Sequence, residues 1–256
     1  MDKKQREARR HQEDMALNRG LLWVGAAIIL EFLLLLINRY YINFRVDEAS
    51  VNLATTLHTL LKVVRIGGAV AAILCLVWSV LRFRKGEKLV LPVVLTAAFG
   101  ALAICAHVTL AFKGTGVRML FLLVPAWAGL ALVYYLYQKE FFLSAVAVGL
   151  SILGLWCVRF GGALTLESGL VFVGILAVTA AALWLKKSGG TVKYGERELQ
   201  FLSKNASYPV VLVSCLASLL ALAAAMALGS FVAYYLIFLM VAWLFALLVY
   251  YTVKLM

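Results

Sequence analysis

Apolar runs too long for any β-strand alternate with short polar stretches along nearly the whole chain. The first runs from Leu21 to Ile37 and the second from about Leu60 to Leu81. Leu89–Phe112, Met119–Gln138, Phe141–Val158 and Ser168–Leu185 follow. After a polar stretch comes an uncharged run from Asn205 to Val253. As one helix that run would measure about 73 Å, more than twice the hydrocarbon thickness of a bilayer. It must therefore turn back once, and Gly229-Ser230 is the weak point near its middle.

The pattern predicts an all-α, polytopic transmembrane helical bundle of about eight spans. The expected spans are 21–37, 60–81, 89–112, 119–138, 141–158, 168–185, 207–228 and 230–253. A charged tail over 1–19 precedes a single transmembrane domain over 20–256, with a polar loop at 186–206. The basic start and first apolar run resemble a signal peptide in order. No small-residue cleavage site follows, however, so the run reads as a retained span.

Composition strengthens this reading. Hydrophobic residues make up 64% of the 256 positions and charged residues 14%, against roughly 45–50% and 25% in a soluble domain. The formal net charge of +12 raises nucleic acid as a partner. The basic residues cluster instead at the ends of apolar runs, without an aromatic-lined groove, and the positive-inside rule accounts for them; no nucleic-acid partner is expected. Lipids are the expected surroundings, and a membrane protein or a second copy of the chain the expected partner.

Most Lys and Arg fall on one side when alternate loops are compared. That side holds the tail, Arg82 to Lys88, Lys139, the 186–206 loop and Lys254. Both termini are therefore expected in the cytoplasm, and an even span count agrees. Compact loops suit a plasma membrane of the bacterial inner kind. Trp23, Trp78 and Trp184 sit near the cytoplasmic ends of their spans, as an aromatic belt would. In the long loop, Leu199 and Leu202 are placed to face the membrane while Arg197, Glu198 and Lys204 stay wet. It reads as a connector on the headgroups, or as a docking segment.

Few residues carry candidate chemistry. Glu31 is the one acidic residue inside an expected span, where an isolated charge is costly. If Asn38 and His58 share a depth on the outer surface, Glu31 and Arg65 both lie about 10 Å below it on neighbouring helices. An interhelical Glu31–Arg65 ion pair is expected on that premise, either fixing the first hairpin or acting as a gate. Lys62, Arg65, His107, Arg118 and Arg159 all occupy outer span ends. They read as snorkelling side chains, or, for Lys62, Arg65, Arg118 and Arg159, as an outward basic pocket for an anionic ligand such as a lipid phosphate. Pro125 is expected to kink the fourth span. Ala217, Ala221, Ala225 and Gly229 recur every fourth residue and predict a close helix-packing face.

No metal, nucleotide or cofactor motif is present, and none of these groups is expected to bind. Cys75, Cys105, Cys157 and Cys215 lie singly in apolar runs and read as small apolar side chains. Gly149-Leu150-Ser151 lacks a histidine at matching depth to act as base, which argues against a serine protease. Three readings remain: a non-enzymatic scaffold or accessory subunit, which the apolar spans favour; a small-solute or lipid transporter; and, least supported, an enzyme on lipid-linked anionic substrates.

Overall fold

The computed structural model describes residues 3–84, 90–136, 139–189, 191–194, 197–200 and 207–255. It is built of helices with one small hairpin. Helix α1 covers Lys3–Ile37 and ends in a π-helical turn, Asn38–Ile42. Then come α2 (Glu48–Arg84), α3 (Val90–Leu136), α4 (Lys139–Gly161), α5 (Leu166–Lys187), α6 (Tyr208–Leu228) and α7 (Ser230–Leu255). Strands β1 (Thr191–Tyr194) and β2 (Arg197–Gln200) pair antiparallel between α5 and α6, with Val192 opposite Leu199. The connector expected at 186–206 thus contains a two-stranded hairpin. Lys85, Lys88, Leu89, Gln138, Glu196, Leu202, Lys204, Asn205 and Ala206 lie outside the described residues.

Among the described residues, seven helices are long and apolar enough to cross a membrane. Several outrun their apolar segments, because apolarity marks what lipid covers and not where helical hydrogen bonding stops. Helix α2 starts well before Leu60, just after Asp47, whose Oδ2 accepts from the Ser50 amide at 3.3 Å. The backbone of the charged tail is likewise helical and continuous with α1.

Helix α3 is broken at one residue. Lys113 has φ 45° and ψ −127°, directly after Phe112, where the third apolar segment ends. A Cβ placed on Gly116 would run into the carbonyl oxygen of Val108. Eight residues along a straight helix lie about 12 Å apart, so the chain reverses at Lys113 and α3 is two arms, 90–112 and 114–136. The backbone stays helical through Pro125, and the break at Lys113 falls in the stretch expected to join the third and fourth spans.

The chain forms two compact units, 24–127 and a second made of 1–23 with 128–256. The division within α3 falls between Trp127 and Ala128, beside Pro125. In the second unit α4 is the hub, packing against α5, α6 and α7. Its core joins Phe141, Val148, Leu155 and Val158 of α4 to Ile175, Leu222, Ala225, Met240 and Tyr251. Gly154 permits the closest approach: a Cβ there would lie 2.8 Å from Leu222 and 3.0 Å from Val171. Helix α5 opens on a capping box between Thr165 and Ser168 and closes on Lys186 and Lys187, in keeping with its dipole. Helices α6 and α7 meet at Gly229, whose φ of 89° and ψ of −172° favour glycine. The hairpin read at Gly229-Ser230 is therefore present.

Candidate functional site

The most concentrated polar cluster lies where α4 and α6 begin and α7 ends. Glu140, 3% exposed, stands in the first turn of α4. Its Oε2 accepts the Ser207 amide at 2.8 Å and the Lys254 ammonium at 3.1 Å. Lys254 also donates to Ser207 Oγ at 3.0 Å, and that hydroxyl lies 3.4 Å from Tyr250 Oη. The Lys254 ammonium sits 5.7 Å from the ring centre of Tyr251.

Local chemistry explains the convergence. Ser207 precedes α6 and makes no side-chain cap of its own, while Pro209 supplies no amide hydrogen. The exposed amide at Ser207 is instead satisfied by a carboxylate from another helix, placed where the dipoles of α4 and α6 favour negative charge. Lys254, in the last turn of α7, stands where that helix favours a cation. Charge counting groups Lys139, the 186–206 loop and Lys254 on one side, yet it treats Glu140 as loop. Its burial is set by three helix ends meeting, which no local pattern records.

The expected Glu31–Arg65 pair is not made among the described residues: Glu31 Oε1 is buried without a hydrogen-bond partner. The two segments do meet near these positions: Tyr41 Oη lies 2.8 Å from His58 Nδ1 and their rings stack. Helix phase defeats the pairing. Arg65 shares the face of α2 that carries Leu61 and Gly68. A Cβ on Gly68 would lie 3.3 Å from Ala103 and from the Phe99 carbonyl, so this face turns to α3. Glu31→Gln is accordingly expected to melt at the same temperature as the parent or higher, since the carboxylate has no partner to lose. A lowered midpoint would show that Glu31 is ionised and paired.

The basic residues expected at outer span ends fall in both units. Lys62 and Arg118 are exposed and Arg65 is half-buried, all in the first unit. No hydrogen bond or ion pair links them to a common partner among the described residues. Arg159 belongs to the second unit, where its guanidinium stacks 5.5 Å from the Tyr234 ring centre. Ala221 and Ala225 of the small-residue face are buried in the core of their own chain. An apolar groove of about 550 Å³ between α6 and α7 is bordered by Ala217, Ala224 and Trp243. The Trp243 indole N–H is spent on Ser214 Oγ at 3.2 Å. Among the described residues no three His, Cys, Asp or Glu side chains are grouped to hold a metal. No family model matches the chain, and no curated protein or solved structure matches it.

Proposed function

We propose that this chain is a non-enzymatic component of a membrane complex, a scaffold or accessory subunit that works by packing against another membrane protein. In this reading it crosses the plasma membrane, of the bacterial inner kind, eight times, with both termini cytoplasmic. The count of eight takes the two arms of α3 as separate crossings, since its apolar stretch Val94–Tyr135 is too long for one. The reading is carried by how little of the first three apolar helices the chain covers itself. Between 11% and 18% of their apolar windows are buried, as for α7 (17%), against 56% for α4. Leu22, Ile28, Phe32, Val63, Ile66 and Leu74 are each at least 60% exposed. Such faces suit lipid or a partner helix, and they carry no group able to do acid–base or nucleophilic chemistry.

Affinity purification from native membrane in mild detergent, followed by mass spectrometry, tests the proposal. A stoichiometric membrane-protein partner is the expected result; recovery of the chain alone would count against it. A transporter is the second reading, and the unpartnered carboxyl oxygen of Glu31 within an apolar span is what favours it.

A further inference from the structure

The four-helix part of the second unit contains a buried polar column that begins at Glu140. On α4, Glu140, Ser144 and Ser151 are almost completely buried, and their spacing places them along one face. Helix α6 adds Ser214 and Ser218, both fully buried. The hydroxyl of Ser144 donates to the Glu140 carbonyl at 3.1 Å, and that of Ser214 to the Val210 carbonyl at 2.9 Å. Deeper still, Ser151 Oγ donates across to the Ser218 carbonyl at 3.3 Å.

From Glu140 to Ser151 the helix rises about 16 Å, half the thickness of a hydrocarbon core. One turn further the polar residues stop. Gly154, Leu155 and Leu222 close the column: a Cβ on Gly154 would lie 2.8 Å from Leu222, and Leu155 and Leu222 are fully buried.

Among the described residues the Tyr251 and Ser218 hydroxyls make no well-formed hydrogen bond, Tyr251 having only a loose interaction with the Ser144 side chain, and the hydroxyl of Tyr208 at the start of α6 has no partner either. Tyr251 and Ser218 are fully buried side chains. Hydrocarbon offers a hydroxyl no hydrogen bond, and an unbonded one costs free energy that packing does not return. Buried water ordinarily fills this role, binding polar groups that the protein leaves unsatisfied.

We propose that this column is hydrated, with internal water molecules bound at Tyr251 beside Glu140 and at Ser218 near the middle of the bundle. The path gives water access from the Glu140–Lys254 end to mid-depth and no further. It is independent of whether the chain acts as a scaffold.

Radiolytic hydroxyl labelling of the full chain in lipid nanodiscs, read by mass spectrometry, tests this directly. After correction for intrinsic reactivity, Tyr251 is expected to oxidise faster than Phe141. Phe141 is equally buried, and its ring centre is 5.3 Å from that of Tyr251. A thermal melt gives the second readout. Tyr251→Phe and Ser218→Ala are each expected to lower the midpoint by about 2–4 °C, because each removes a water-mediated hydrogen bond. Were the hydroxyls dry, deleting them would leave the midpoint unchanged or raise it. The proposal requires both results; labelling of Tyr251 no faster than Phe141, or unchanged midpoints in both variants, overturns it.

Discussion

Lys254→Met is expected to cost about 3 kcal/mol of stability, the lower end of the range for stripping the partner from a buried charge. The side chain of Glu140 is 4% exposed and that of Lys254 28%, so the two members of the pair are not equivalent. Removing the ammonium leaves a buried carboxylate with one bond, from the Ser207 amide. Removing the carboxylate charge instead leaves a lysine that can swing its ammonium into water. Glu140→Gln keeps an acceptor for the Ser207 amide, and its expected cost is smaller, about 1–2 kcal/mol. The double variant should then cost less than the sum of the two, by about 1–2 kcal/mol, since the uncompensated charge is gone. Thermal and denaturant unfolding of the four proteins in one detergent provides the cycle. A larger loss for Glu140→Gln than for Lys254→Met would reverse the argument, making the lysine the group that depends on burial.

The parts of the structure legible in the sequence are those fixed by local chemistry. Gly229 interrupts an uncharged run too long for one crossing, and its positive φ is the turn that length demands. Phe112 ends an apolar segment, and the helix breaks at the next residue. What stayed hidden depends on how helices rotate and converge. Counting residues puts Arg65 at a depth to meet Glu31, but counting runs along the chain, whereas facing follows from packing. Gly68 and Leu61 commit that face of α2 to α3. Glu140 reads as a loop residue beside Lys139, because nothing near it in sequence announces that Ser207 and Lys254 arrive from elsewhere. The small-residue stripe of α6 was legible as a packing surface. Its partner was not, and the burial of Ala221 and Ala225 assigns it to the chain's own core.

The turn inside α3 should respond to two glycine exchanges in opposite directions. Gly116→Ala is expected to destabilise the protein by about 2–3 kcal/mol, at the upper end for overpacking. The added methyl would meet the Val108 carbonyl and lie 3.0 Å from Phe112 Cβ. A backbone carbonyl committed to a helix cannot rotate aside as a leucine tip does. Gly114→Ala is the control, since its Cβ would touch only Ile42 Cγ2 at 3.4 Å, an ordinary contact, and a change of about 0.5 kcal/mol or less is expected. Lys113 presents the converse case. Its dihedrals fall close to those of the first central residue of a type II′ turn, about +60° and −120°, a position that favours glycine. Lys113→Gly should therefore stabilise by about 1 kcal/mol, the strain relieved less the extra freedom glycine gives the unfolded chain. Thermal midpoints of the three variants in the same detergent decide the matter. If α3 were instead one straight helix through this region, position 116 would be far from Val108. Gly116→Ala and Lys113→Gly would then exchange signs, because alanine stabilises a helix interior and glycine weakens it.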